Sequence, residues 1–330
     1  MSAVQILTVP EGDDGSRLDR WFKRLFPHIP HGRVEKLLRT GQLRVDGKRA
    51  KGNFRLTAGQ AVRVPPLPDP TEEPREKPSL HSDEQRLIRD MIIFENEDLI
   101  ALNKPAGLAV QGGSKTSNHI DRLLPALGDG VRLVHRLDRD TSGVLVVAKS
   151  AASAKMLGSA FASRKARKIY WGITNGLPRP MEGEIKGYIA KGIRDNSFGN
   201  HMAGQEIMVA VRHGAEGAKY ARTQYQVVAK AGTKAAWVVM QPQTGRTHQL
   251  RLHMQLLGAP LAGDPKYLTD RPLPTSLDEQ LHLHARELTL PLSNGKSLTF
   301  IAPLPAHIQH AFDIFGFDPK MPIPEMEPVS

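Results

Sequence analysis

Near the N-terminus the apolar residues fall three and four apart. Leu18, Trp21, Phe22 and Leu25 share one face of a predicted helix, with Ser16 as its cap and Asp19 as capping-box partner. A second helix over residues 32–39 turns Val34, Leu37 and Leu38 inward, leaves Arg33, Lys36 and Arg39 to solvent, and stops at Gly41. The spacing then becomes short and alternating. Strands are predicted at 43–45 and 61–64, with a turn at Asp46-Gly47. From Pro65 to Pro78 proline and charge displace apolar residues, so 66–80 reads as an extended linker behind a small domain of residues 1–65.

Beyond it the pattern is that of a larger α+β domain, residues 81–315. A charged helix at 82–91 leads to strands at 92–94 and 99–102, and the second ends in Asn103-Lys104-Pro105-Ala106-Gly107-Leu108, a tight turn. Lys104 there reads either as a surface lysine or as a phosphate contact. Residues 134–150 place His135, Arg136, Asp138, Arg139 and Asp140 ahead of Thr141-Ser142-Gly143 and an apolar run: polar loop, turn, buried strand. Ser150 caps the next helix, with Met156, Leu157, Ala160 and Phe161 as its inner stripe and Arg164, Lys165, Arg167 and Lys168 after it. In the strand at 169–174 that follows, Lys168 and Tyr170 point to one side and Ile169 to the other.

Residues 183–217 suggest a long hairpin or an insertion. Strands at 222–228 and 236–241 pair, and the second enters the polar turn Pro242-Gln243-Thr244-Gly245-Arg246-Thr247-His248-Gln249-Leu250-Arg251. Thr247 is the expected N-cap of a helix whose inner stripe is Leu250, Met254 and Leu257 and which Gly258 stops; Thr247 and Arg251 share a face. Alternation at 287–291, Asn294-Gly295 and a strand at 297–301 predict a last hairpin before a proline-rich tail, 316–330.

Composition narrows the partners. Lys and Arg number 45 against 34 Asp and Glu, a formal charge of +11 and a pI near 9.8, which favours a polyanion. Residues 1–65 hold 13 basic and 6 acidic residues, a net of +7, so most of the excess sits in the small domain. Basic residues along its second helix and into its sheet suit contact with a phosphate backbone. The chain has no cysteine, which excludes disulfides, thiolate catalysis and Cys-ligated metals. The N-terminus lacks the basic start and apolar run of a signal peptide, and no apolar stretch has transmembrane length, so the expected compartment is the cytoplasm.

Three chemistries compete. His248 with His253, or His282 with His284, invite a metal, but no third ligand cluster matches them, and none is expected. Ser142 beside His135 and Asp138 invites a hydrolase, yet the G-x-S-x-G elbow is missing. What remains is Asp138, flanked by Arg136 and Arg139, with an arginine of the later turn available to hold it. Paired with arginine, a carboxylate stays ionised, which suits a nucleophile or base. A salt-bridged loop aspartate fits these residues equally well.

The order of the motifs decides further. The chain resembles the RluA-type RNA pseudouridine synthases from about residue 90 to 305: Asn103-Lys104-Pro105-Ala106-Gly107, then His135-Arg136-Leu137-Asp138 with Thr141-Ser142-Gly143, then Lys168-Ile169-Tyr170, then Gly245 to His253 with Gly263-Asp264 and Tyr267. The N-terminal segment is similar to the small αL RNA-binding domain of a ribosomal protein, through Arg17-Leu18-Asp19 and Gly41 to Lys48. The resemblance implies a mixed, mainly antiparallel sheet with flanking helices. It implies a monomeric enzyme that turns uridine into pseudouridine in large-subunit ribosomal RNA, or in the assembling subunit, without a cofactor. Asp138 would be the catalytic aspartate, Tyr170 the ring stacked on a flipped-out base, and Arg251 the arginine paired with Asp138. His135, Arg136, Lys168, Arg246 and His248 are the candidates for substrate contact, and Arg17, Arg33, Lys36, Arg39, Arg44 and Lys48 those of the small domain. A non-catalytic RNA-binding factor and a uridine glycosidase are the competing classes.

Overall fold

The computed structural model describes residues 4–68, 80–112, 118–193, 204–272, 274, 276–291 and 296–326. Most of the expected linker, the Asn294-Gly295 turn and the end of the tail lie outside these residues. By its contacts the chain divides into two compact units, Met1–Ser79 and Leu80–Ser330.

In the first unit β1 (Gln5–Thr8), α1 (Leu18–Leu25), α2 (His31–Arg39), β2 (Arg44–Val45), β3 (Lys48–Arg49) and β4 (Ala61–Val64) follow in order. The strands form a sheet ordered β1-β4-β2-β3. Leu18, Trp21 and Phe22 of α1 meet Val34, Leu37 and Leu38 of α2 in one core with Val45, Val62 and Val64, whereas Leu25 is exposed. Asp46 and Gly47 take positive φ, 48° and 75°, and close the β2–β3 hairpin as their sequence demands. The start of α1 differs from expectation. Arg17, not Ser16, stands at its N-cap without a side-chain cap bond, and Asp19 accepts from Arg17 Nη2 at 2.6 Å and from the Arg20 N–H instead. The carboxylate is shared between an arginine two residues away and one amide of the first turn, and it does not reach back to Ser16 as a capping box would.

The second unit begins with α3 (Ser82–Asp90), β5 (Ile92–Glu95), β6 (Leu99–Lys104), α4 (Ile120–Leu123), β7 (Arg132–Leu133), β8 (Ser142–Ala148) and α5 (Ala151–Ala162). It continues with β9 (Arg167–Asn175), β10 (Glu182–Ile193), β11 (Glu206–Val211), β12 (Lys219–Ala231) and β13 (Ala235–Pro242). Then come α6 (Gln249–Leu256), β14 (Leu283–Pro291), β15 (Ser297–Ile301) and α7 (Ala306–Phe315). One sheet runs β11-β10-β12-β13-β9-β14-β8-β6-β5, with β15 on β14 and β7 on β8. Every described pairing is antiparallel except β14 with β8. The mixed, mainly antiparallel α+β architecture expected from the sequence is therefore the one found.

Within the segment expected as a long hairpin or an insertion, β10 and β11 pair antiparallel, and the residues between them lie outside those described. In α5 the cap is as expected, Ser150 accepting from the Ser153 N–H, but Met156 is exposed while Leu157 is buried. The helix leaves a narrower inner stripe than its apolar content suggests. The junction β8–β14 positions the polar loop before β8: at Gly143, with φ of 110°, a Cβ would lie 2.2 Å from the Ala285 carbonyl oxygen. Only glycine allows two backbones to approach so closely there.

Candidate active site

Lys104 ends β6 fully buried. Its Nζ donates to the carbonyls of Pro105 and Leu108, both at 2.8 Å, and of Arg139 at 2.9 Å. Neither sequence reading, surface lysine or phosphate contact, fits. The ammonium ties the turn after β6 to the loop that carries Asp138, and burial pulls its pKa down to about 7 against the opposing pull of Asp140 and Asp138.

Asp138 lines a cleft of about 560 Å³ and is the one carboxylate among the lining residues, which include His135, Arg136, Lys168, Tyr170, Arg246, His248 and Arg251. The structure thus gathers all eight residues singled out for the larger domain. Burial raises the Asp138 pKa above the usual carboxylate range, opposed by Arg251, Arg136, the His248 backbone N–H and Lys104. A tight pair with Arg251 that would hold Asp138 low is not what is found. Arg251, only 2% exposed, donates from Nε and Nη2 to Asp264 at 2.7 and 2.6 Å and acts on Asp138 through space. Asp264 is the better partner because its Oδ1 also accepts from the backbone of Lys266 and Tyr267, at 2.8 and 3.0 Å, so its lone pairs are already aimed.

The arginine also lies over the Tyr267 ring, 5.3 Å from its centroid. Tyr267 is held in turn by Met208, whose N–H donates to the hydroxyl at 2.9 Å, and by His248 Nδ1 at 3.2 Å. Asp264 and Tyr267 had stood out only as members of a motif. No spacing rule joins them to Arg251, because their meeting depends on the loop after α6.

His248, not Thr247, precedes α6, in a left-handed conformation (φ 50°). The capping is done from inside the helix: Gln249 Oε1 accepts from the Arg246 N–H at 3.1 Å and from Thr244 Oγ1 at 2.7 Å. Its Nε2 donates to the Arg222 carbonyl and to Thr223 Oγ1, both at 2.9 Å. Gln249 thereby satisfies both ends of its amide and locks the turn to β12. Burial, then Arg251 and Lys266, bring the His248 pKa to about 4.

His135 is not a cationic phosphate ligand. Its Nε2 accepts from the Val146 N–H at 2.8 Å, its ring stacks on Phe161 at 4.4 Å, and burial lowers its pKa to about 3. It mounts the loop on β8. Lys168 lies 5.9 Å from the Phe161 centroid, and burial lowers its pKa too. Tyr170 is half-buried beside Met240 on β13 and Ala285 on β14; burial, and next Asp138, raise its pKa, so the ring stays a neutral phenol. Ser142 bonds His284 Nδ1 at 2.9 Å. That pair is buried in the β8–β14 junction and does not involve His135.

In the small unit Arg33, Lys36, Arg39 and Lys48 are exposed. Arg44 is turned onto the carbonyls of Gly41 and Gly47 at 2.9 and 3.3 Å, and Arg17 is engaged by Asp19. Among the described residues no group of His, Cys, Asp and Glu is arranged to hold a metal ion, and no helix is long and apolar enough to cross a membrane.

Comparison with known proteins bears on the family of the chain. The family described as RNA pseudouridylate synthase matches residues 98–256, which span Lys104, Asp138, Tyr170 and Arg251. The ribosomal large subunit pseudouridine synthase C of Rickettsia felis is 36% identical over 268 residues, covering 79% of this chain and 84% of that protein. Its counterpart in Vibrio vulnificus is 33% identical over 267 residues, 80% of each chain. The solved structure of human RNA pseudouridylate synthase domain containing 4 superposes with a TM-score of 0.59 at 30% identity, covering 72% of this chain and 98% of that one. With its fold, its cleft and these relatives in agreement, the chain belongs to the RNA pseudouridine synthase family.

Proposed function

We propose that this enzyme isomerises uridine in large-subunit, 23S-type ribosomal RNA, as a monomer in the cytoplasm, with Asp138 as its catalytic carboxylate. The observation that carries the reading is the lone carboxylate in a cleft lined by several cations, with a neutral tyrosine ring in the same lining. The reaction balances within one nucleotide: the N1–C1′ bond breaks, the uracil turns, C5 bonds to C1′, the C5 proton leaves and N1 gains one. Attack on C1′ and removal of a ribose proton both require an ionised carboxylate, and Arg251, Arg136, Lys104 and the His248 N–H all favour that form of Asp138.

A base within a helix is out of reach of a carboxylate in this cleft, so the uridine flips out and stacks on Tyr170, a contact worth about 1–3 kcal/mol. Arg136, Lys168 and Arg246 meet the flanking phosphates, while His135 and Arg251 hold the loops. The large-subunit substrate is proposed from the relatives named above. In the first unit, Arg33, Lys36, Arg39 and Lys48 are proposed to bind RNA backbone without reading bases, as an αL-type domain joined by residues 66–80. Deleting residues 1–70 is then expected to weaken RNA binding and flatten its salt dependence while sparing the active site.

The test is to map pseudouridines in the ribosomal RNAs of cells with and without the gene. Loss of one or more large-subunit sites supports the reading; an unchanged large-subunit map with losses in another RNA contradicts it.

A further inference from the structure

Among the described residues β11 ends the larger sheet, with β10 as its strand partner. On such a strand the N–H and C=O of every second residue point away from the sheet. Glu206 and Met208 are two apart, and side chains of one loop, in place of a further strand, take their outward groups. The Glu206 carbonyl accepts from Lys266 Nζ at 3.0 Å. Met208 donates its N–H to the Tyr267 hydroxyl at 2.9 Å, and its carbonyl accepts from that hydroxyl at 3.3 Å. Ile189 of β10, Met208, Ala221 of β12, Leu252 of α6 and Tyr267 close a small apolar cluster of their own. None of the five lines the cleft.

Covering an open sheet edge accounts for those contacts. It does not account for the other side of Tyr267. The hydroxyl, with one proton and two lone pairs, has His248 Nδ1 as its third partner at 3.2 Å, and the Arg251 guanidinium lies over the ring, 5.3 Å from its centroid. Arg251 and the His248 backbone N–H are two of the groups that favour ionised Asp138. Both rest on one phenol. His248 is left-handed, at φ 50°, a conformation uncommon in a residue with a side chain and in need of support. The loop closes the circuit, because Asp264, which grips Arg251, also accepts from the Lys266 and Tyr267 N–H groups.

We propose that Tyr267 is a positioning residue of the reaction, seated by the paired strands β10 and β11, and that it fixes both the Arg251 guanidinium and the His248 backbone N–H against Asp138. The role rests on the reading of Asp138 as the catalytic carboxylate. It gives β10 and β11 a part in the reaction although no residue of either strand lines the cleft.

Asp138 is faced by Arg251 and His248 of the turn into α6, by Arg136 of its own loop, by Lys104 of β6 and by Tyr170 of β9. Tyr267 is a neutral phenol, its pKa pushed up to about 12, chiefly by burial. Replacing it takes no charge from this set, so a movement of the Asp138 titration reports a change in how the charged neighbours are held.

The full chain is measured in two ways across pH: tritium release from RNA labelled at uracil C5, and titration of the Asp138 carboxyl by carbon NMR, assigned against Asp138→Asn. Tyr267→Phe is expected to lower kcat about tenfold with KM little changed. It is also expected to move the acid limb of kcat/KM, and the NMR titration with it, upward by about half a pH unit, since a charge held less closely favours the carboxylate less. Met208→Ala, which hollows the apolar seat and keeps the phenol, is expected to shift both in the same direction. The double variant is expected to lose little more than the worse single one, because the two act along one chain of contacts.

A folded Tyr267→Phe enzyme whose acid limb and NMR titration are unmoved or lowered overturns the proposal, whatever its kcat; lost stability alone reduces the active fraction without moving either. A raised KM with kcat unchanged makes Tyr267 a substrate contact and refutes it as well. Additive losses in the double variant separate the strands from Tyr267 and contradict the seating. Should Tyr267→Phe fail to fold, Met208→Ala decides on the same two readings. A parent that releases no tritium refutes the proposed function, and the NMR titration, which needs no turnover, still decides the role of Tyr267.

Discussion

Arg251 grips Asp264 through two hydrogen bonds, 2.7 and 2.6 Å, and reaches Asp138 only by its field. The buried guanidinium is thus a fixed positive charge whose place is set by a carboxylate that takes no part in the chemistry. Breaking such a buried pair by removing one partner costs about 3–5 kcal/mol. Asp264→Ala is expected to lose that much stability in urea unfolding and to lower kcat at least tenfold in whatever fraction remains folded. A variant of unchanged stability would show that the pair does not hold the site.

The pH dependence follows from the burial of Asp138. Its pKa is raised, and the proposed reaction needs the ionised form, so kcat/KM is expected to climb as pH rises through that raised value and to be flat above it. Arg136 favours the ionised form; Arg136→Gln is expected to move the acid limb to higher pH. Movement to lower pH, or none, would contradict the field assigned to Arg136.

The same shift bears on stability. A carboxyl whose folded pKa lies above its unfolded one costs nothing below the unfolded value, and the cost develops as pH rises through the folded value. At neutral pH Asp138→Asn removes that cost. The variant is expected to melt at or above the temperature of the parent; a melting point several degrees lower would mean the carboxylate is structural.

Lys104 offers a fourth measurement. Lys104→Met keeps the apolar stem but strips three carbonyls of their donor, and each orphaned group costs about 1–3 kcal/mol before the loops relax. The expected result is a fall in kcat with little change in KM, because the loop bearing Asp138 loses its tie to β6. An effect on KM alone would point to substrate contact instead.

Much of this was legible beforehand. Leu18, Trp21 and Phe22, the buried run of β8, the Ser150 cap and the paired strands β12 and β13 follow local patterns of period and propensity, which tertiary packing did not override. Residues of the second, third and fourth motifs line one cleft, while Lys104 of the first ties the loop carrying Asp138 to β6. Local spacing fails where a partner comes from far along the chain. Asp264 takes Arg251 away from Asp138, Gln249 replaces Thr247 as the organiser of the turn, and Lys104 is buried by a loop that starts some thirty residues later. The strand β1 and the helix α7 were also missed. The strand β1 is short and mostly exposed, so its pairing with β4, not its own apolar content, makes it a strand.

The central claim is that Asp138 performs the isomerisation, and RNA labelled with tritium at uracil C5 tests it most directly. The parent enzyme is expected to release tritium to water while the mass of the RNA's nucleosides stays that of uridine. Asp138→Asn is expected to release none and still bind RNA. Tritium release by a folded Asp138→Asn enzyme would contradict the account.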